Sequence, residues 1–295
     1  MKKYIYCFLL SIFIFSCSSN EDNLNAPIDV ANITATPIVG GALLKWQIPS
    51  DSSFTYLEVH YKKNAKDVIE KVSKYTDSLM VEGLINKEPL DFELRTVNET
   101  PDMRNEGQLF TTDLITPIKR QPDVSYFSND LTELNVDATM LDTYTQETNE
   151  GAKENLVDGD PATYWHTAWS AGVAPLPHWI QLNFEEPKSL GAISFWFRQN
   201  SGDVAGRPSQ WGLEVSDDGQ SWVRVWESQA NLSVLDTSVE HKINFDKNYK
   251  FQYFRVMILQ NDGKTYTHLG EISFYEMATA IVDKELEAEE IYYSY

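Results

Sequence analysis

Short runs that alternate hydrophobic and polar residues dominate the first part of the chain. Tyr56-Leu57-Glu58-Val59-His60-Tyr61 and Asp91-Phe92-Glu93-Leu94-Arg95-Thr96-Val97-Asn98 repeat with period two, the pattern of strands that bury one face and wet the other. Ala42-Leu43-Leu44-Lys45-Trp46 runs into the turn residues Pro49-Ser50-Asp51. Gly, Pro and Asp break the runs often enough to predict an antiparallel sandwich over residues 28–117, with only a weak helical period near Lys66–Lys74 competing. Residues 118–133 are mixed, with Pro122 and Asn129-Asp130, and read as a linker. Alternation returns over 134–277, in Ile193, Phe195 and Phe197 and again in Trp211, Leu213 and Val215, and Asp217-Asp218-Gly219 supplies a tight turn. Seven of the eight tryptophans fall between Trp165 and Trp226. Trp179, Trp211 and Trp222 sit on strand patterns, which predicts packing rather than ligand contact. Residues 278–295 contain Asp283-Lys284-Glu285-Leu286-Glu287-Ala288-Glu289-Glu290, helix formers with little apolar face, and are expected to form a solvated acidic tail. The fold class is therefore all-β, with two β-sandwich domains.

The first residues read as a targeting segment. Lys2 and Lys3 precede an apolar run, Tyr4 to Phe15, that is shorter than the roughly 20 residues of a membrane span and has the layout of a secretion signal. Ile14-Phe15-Ser16-Cys17 resembles the lipobox of bacterial lipoproteins, although Phe15 stands where that motif has a small residue. The resemblance implies a signal over residues 1–17, a lipidated Cys17 and a tether over 18–27. Ser18-Ser19-Asn20-Glu21-Asp22 resembles the acidic tags that carry lipoproteins to the outer face of the outer membrane, and suits a plain spacer equally well. Cys7 would leave with the signal, so no disulfide is expected.

Charge narrows the partners. With 44 acidic against 24 basic side chains, the formal net charge is -20. Such a surface repels phosphate backbones and anionic lipid heads, so nucleic acid is excluded as a partner and acyl chains must hold the protein to the membrane. A neutral partner fits. Among catalytic signatures, Gly-x-Ser-x-Gly, His-Glu-x-x-His, a glycine-rich phosphate loop and a Cys-His pairing are all missing from the sequence, and a non-enzyme is expected. Asp158-Gly159-Asp160-Pro161-Ala162-Thr163 gathers oxygen donors in one turn without sulfur or imidazole. That is hard-cation chemistry, and taken alone it is matched by a turn closed through its own hydrogen bonds.

Three segments carry a wider resemblance: Asn155-Leu156-Val157-Asp158-Gly159-Asp160-Pro161-Ala162-Thr163-Tyr164-Trp165, Pro177-His178-Trp179-Ile180-Gln181-Leu182-Asn183-Phe184, and Glu214-Val215-Ser216-Asp217-Asp218-Gly219-Gln220-Ser221-Trp222. Tyr253-Phe254-Arg255-Val256 and Leu269-Gly270-Glu271-Ile272 follow in the same order. Together they resemble the coagulation factor 5/8 type C, or discoidin, family, which includes the family 32 carbohydrate-binding modules. The resemblance implies a jelly-roll-like sandwich over 134–277. It also implies one structural calcium ion held by the Asn155 carbonyl, Asp158, Asp160, Thr163 and Glu271, and a ligand site on loops at one end. In those loops Trp169 or Tyr266 would be the flat platform, with His166, Arg198, Asn200 and Arg207 as hydrogen-bonding groups. His166 has an equal claim to a scaffolding role, and Arg198 ends a strand, where it could pair with a carboxylate. Residues 28–117 resemble a fibronectin type III domain, with Trp46 at the buried strand-B position and Leu90 in place of the corner tyrosine. The combined expectation is a surface lipoprotein that binds a neutral glycan and assists glycan-uptake proteins; the alternative is a protein–protein adhesion module.

Overall fold

The computed structural model describes residues 25–50, 53–87, 89–199 and 205–294. Cys17, the signal and most of the tether lie outside them, as does Asn200. The chain divides into two compact units, one made of the described residues through Asp123 together with those from Asp283 onward, the other Val124–Val282. Both are built from β-strands.

The first unit contains β1 (Ala31–Ile38), β2 (Gly41–Gln47), β3 (Tyr56–Lys63), β4 (Lys66–Ser73), β5 (Ser78–Glu82), β6 (Glu93–Glu99), β7 (Arg104–Glu106) and β8 (Phe110–Thr111). One sheet has the order β1-β2-β5 and the other β4-β3-β6-β7, with β8 also on β6. Their inward residues, among them Leu44, Trp46, Leu57, Val59, Val81 and Leu94, form one core with Phe92. Trp46 satisfies its indole N–H on the Thr76 carbonyl at 2.8 Å, which removes the cost of burying that donor.

Residues 66–73 form a strand, not the weak helix their spacing suggested. Asn64 and Ala65 both take positive φ, 50° and 56°, giving a two-residue turn whose twist matches a hairpin. The full β3–β4 register, from Lys63↔Lys66 to Tyr56↔Ser73, then overrides local propensity.

The second unit contains β9 (Asp123–Glu133), β10 (Leu141–Thr143), β11 (Trp165–His166), β12 (His178–Trp196), β13 (Pro208–Ser216), β14 (Val223–Glu227), β15 (His241–Asn261), β16 (His268–Leu269) and β17 (Glu271–Val282). Its main sheet runs β14-β13-β15-β12-β17-β9, with β10 added on β12. Strands β12 and β15 are 19 and 21 residues long. Register shifts between Asn183/Lys188 and Leu190/Ala192 bend this pair, and such bulges let a sheet fold over its own core. Trp165, Ile193, Phe195, Phe197, Trp211, Leu213 and Phe254 fill that core.

Trp179 and Trp222 pack differently from Trp211. Whereas Trp211 is fully buried, Trp179 and Trp222 are half-buried and hold the Arg255 guanidinium between them, 4.4 and 4.0 Å from their ring centroids. These are cation–π contacts on the outer face of the sheet.

Two expected connectors are structured elements. Asp123–Glu133, inside the proposed linker, is β9 and edges the main sheet beside β17. In the proposed tail, β17 continues to Val282 and helix α1 (Lys284–Ser294) returns to the first unit. There the buried Glu285 carboxylate accepts hydrogen bonds from the Asn86 amide (2.6 Å), the Arg120 amide (3.0 Å) and the Arg120 guanidinium (3.0 Å). Asp283 caps the helix by accepting from the Glu285 and Leu286 amides. The sequence shows α1 with little apolar face; the signal it hides is one acid, Glu285, that the fold buries.

Candidate functional site

Three loops of the second unit meet where β11 pairs with β16, through Trp165↔Leu269 and His166↔His268. Thr167 and Thr267 lock the junction: the Thr167 amide donates to the Thr267 carbonyl at 2.9 Å, and the Thr267 amide donates to the Thr167 hydroxyl at 2.8 Å. Gly151 completes it, since its carbonyl accepts from the His166 amide at 3.0 Å. Its φ is +65° and a Cβ there would fall 2.5 Å from the His166 backbone nitrogen, so only glycine fits.

On this frame sits a cluster of rings. His166 is buried, 5.1 Å from the Tyr266 ring, 5.5 Å from His268 and 6.4 Å from Trp169, centroid to centroid. Trp169 stands at the edge, 49% exposed. Its indole N–H donates to Glu150 Oε1 at 2.7 Å, and Tyr164 donates its hydroxyl to Glu150 Oε2 at 2.6 Å. The Arg198 guanidinium lies 3.4 Å over the Tyr164 ring. One carboxylate thus orients both the exposed indole and the phenol that carries the guanidinium.

Glu147 fixes the loop itself. It accepts from the Trp169 and Ser170 amides at 2.8 and 3.0 Å and from the Ser170 hydroxyl at 2.6 Å. These bonds, the Ser170 hydroxyl foremost, hold its carboxyl down at about 2. Hydrogen bonds from Tyr164 and Trp169 likewise keep Glu150 below the ordinary carboxylate range. Burial lowers the pKa of His166 and pushes His268 down to about 4, so both imidazoles are neutral at physiological pH and act as hydrogen-bonding and stacking groups.

The expected ligand residues therefore divide. The structure brings His166, Trp169, Arg198 and Tyr266 to one place. Arg207 lies beneath them, buried, with Nη1 donating to the Val234 carbonyl at 2.8 Å. Asn200 lies outside the described residues. Glu147, Glu150, Tyr164 and His268 were not anticipated. No short motif links Glu150 to Trp169, 19 residues away; the link arises only through the Gly151–His166 pairing.

The oxygen-rich turn is a second centre. Thr163 Oγ1 lies 2.8 Å from Asp158 Oδ2, 3.0 Å from the Asp160 carbonyl and 3.4 Å from the Asn155 carbonyl. Asp158 and Asp160 also accept from the Asp160 and Ala162 amides, both at 2.9 Å. Glu271, the first residue of β17, turns toward them. Its Oε2 is shut from solvent and meets no hydrogen-bond donor among the described residues. Burial, followed by the field of Asp158, pushes its carboxyl up to about 8. No three acid or imidazole side chains among the described residues are arranged to hold a metal ion by themselves. Any cation here must share carboxylates with carbonyl and hydroxyl oxygens, which is the donor set of a hard cation.

Residues 141–272 match the F5/8 type C domain. Residues 27–110 match a domain of unknown function, DUF4959. Over 87 residues the chain is 31% identical to a sialidase of Micromonospora viridifaciens, a stretch that is 28% of this chain and 13% of the sialidase. Among solved structures, the third family 32 carbohydrate-binding module of a family 31 glycoside hydrolase from Clostridium perfringens is 28% identical, with a TM-score of 0.40 over 48% of this chain and 94% of that one. The family 32 module of NanJ from Clostridium perfringens, solved with galactose, is 18% identical, with a TM-score of 0.40 over 50% of this chain and 99% of that one. The matched F5/8 type C residues contain both the ring cluster and the oxygen-rich turn.

Proposed function

We propose that this chain is a non-catalytic surface protein whose F5/8 type C domain captures a neutral glycan. The observation that carries the reading is the exposed Trp169 ring, held edge-on by Glu150 beside the Arg198 guanidinium. A sugar ring offers an apolar C–H face to such an indole and vicinal hydroxyls to a carboxylate and a guanidinium. Glu150 beside Arg198 leaves the site without a strong net charge, which suits a neutral sugar. A shallow site of this kind gains few desolvated contacts, so affinity is on the order of micromolar to millimolar, about 4 to 8 kcal/mol.

The orphaned Glu271 oxygen fits a calcium ion in the turn, with Asp158, Asp160, Thr163, Glu271 and the Asn155 carbonyl as ligands. Its role is structural: it neutralises a crowd of carboxylates and fastens the 155–163 turn to β17. The order β1-β2-β5 against β4-β3-β6-β7 supports the fibronectin type III reading of the first unit, which serves as a spacer. A lipidated Cys17 would anchor the chain to the outer membrane, facing outward, where captured glycan passes to uptake proteins.

A glycan array probed with the full chain and its Trp169→Ala variant tests the reading. Binding to neutral glycans that vanishes in the variant is the expected result. Unchanged glycan binding would remove this site, and capture of a polypeptide with no glycan signal would replace the reading with protein adhesion.

A further inference from the structure

We propose that Leu235 forms an apolar wall beside the ring cluster and selects neutral sugars that carry a methyl group, an inference that rests on the glycan reading above. Among the described residues of the second unit it is the most exposed large hydrophobic side chain, at 74%. A leucine on a loose loop would need no explanation. This loop is braced at every turn. The Leu232 amide donates to the Ser209 carbonyl at 2.8 Å, and the buried Arg207 donates through Nη1 to the Val234 carbonyl at 2.8 Å. The His241 imidazole, stacked on Phe195, donates through Nε2 to the Asp236 carbonyl at 2.6 Å, and Gln199 donates to the Thr237 carbonyl at 2.7 Å. Leu232 and Val234 pack against the core. The carbonyls on either side of Leu235 are thus both tied down, and its backbone cannot turn to bring the side chain inward.

The braces lead straight to the glycan site. Gln199 follows Arg198, whose guanidinium lies over the Tyr164 ring. Arg207 follows Gly206, which stands so close to Tyr266 that a Cβ there would fall 2.9 Å from the ring, and whose carbonyl accepts from the His268 amide at 3.2 Å. The loop therefore borders the cluster on the side of Arg198 and Tyr266, continuous with the groups that would hold the sugar. Its one carboxylate near the tip, Asp236, is taken up by the Ser238 amide and hydroxyl at 2.9 and 2.6 Å. A sugar edge that carries only hydroxyls gains nothing from an isobutyl group and loses water to it. A methyl group, from an acetamido substituent or a 6-deoxy carbon, buries apolar surface against it instead. Because the wall is already rigid, that contact costs little in ordering.

The test titrates the full chain, followed by NMR, with the galacto, gluco and manno hexoses and with the 2-acetamido and 6-deoxy counterpart of each. The expected result is that, in the series the site accepts, one methyl-bearing sugar binds about fourfold tighter than its parent hexose, the worth of one buried methyl group. The arm that shows the preference identifies which methyl is read. Leu235→Ala should bring that sugar down to the affinity of its parent without change in melting temperature, since a side chain this exposed supports no packing. No binding of any sugar, or binding that Trp169→Ala leaves intact, would strike the glycan reading and this inference with it. Binding that depends on Trp169 yet shows no methyl preference, or a preference that survives Leu235→Ala, would overturn this inference alone.

Discussion

The calcium proposed for the oxygen-rich turn offers the sharpest perturbation, through its removal by chelator. Without metal, Glu271 must be protonated or sit charged beside Asp158 and Asp160, and its carboxyl is pushed from 4.5 to about 8. A carboxyl whose folded value exceeds its unfolded one binds more protons folded than unfolded between the two. Metal-free stability from this group is therefore fully present below about 4.5 and is lost as pH rises toward about 8. At ~1.36 kcal/mol per pK unit the whole shift corresponds to about 4.8 kcal/mol, and because Glu271 is only half-buried, roughly 2 kcal/mol is the working figure. For a unit of this size that is a fall of about 4–8 °C in melting temperature between pH 5 and pH 8.5. The proposed calcium should reverse the trend, since it would bind the ionised carboxylate; at a hundred times its Kd it would stabilise by about 2.7 kcal/mol, most effectively at high pH. Calorimetry of the second unit's transition, with excess calcium and with chelator at pH 5, 7 and 8.5, reads both arms. A transition that chelator leaves unmoved at every pH refutes the metal, and one whose metal-free melting temperature does not fall with pH refutes the placement of Glu271.

Other outcomes follow from single contacts. Trp169→Ala should lower glycan affinity at least about tenfold, and Trp169→Phe, which keeps a ring but loses the bond to Glu150, should fall between, by titration against the best array hit. Glu147→Gln should leave the melting temperature of the core strands unchanged yet speed hydrogen exchange at the Trp169 and Ser170 amides. Since the Glu147 carboxyl is held at about 2, the same loosening should appear in the wild type only as pH falls from 4.5 toward that value. Glu285→Ala removes the acceptor of three hydrogen bonds and leaves the Arg120 guanidinium with only the Gly40 and Leu84 carbonyls and no carboxylate, at a cost of about 3 kcal/mol. Exchange at the Asn86 and Arg120 amides should rise accordingly while β12 and β15 stay protected.

The strands were legible wherever one face is buried and the other wet, as in Tyr56–Tyr61, because period two records that asymmetry directly. β9 was not, since its residues are mostly exposed on both faces and leave no alternation to read. α1 escaped for a related reason: its attachment depends on one buried carboxylate and on the Tyr292 hydroxyl that accepts from the Asn64 amide, not on an apolar stripe. At the candidate site, the aromatic and cationic groups could be listed from the loops, because Trp169 and Arg198 sit on segments whose order resembles a known family. Their organiser, Glu150, could not, since a single acid on a loop has no pattern until the Gly151 carbonyl meets the His166 amide. Arg207 shows the converse error: a loop arginine reads as available until the fold lays it against the Val234 carbonyl.

The return of α1 also sets an order of events during synthesis. Asn86 and Arg120 wait 199 and 165 residues for the carboxylate that satisfies them. The amino-terminal sandwich can collapse early, but it gains its final clasp only after the intervening module has been translated. A stall or truncation anywhere in the later segment would therefore be felt in the earlier one, where a protease or chaperone could sense that the molecule is unfinished.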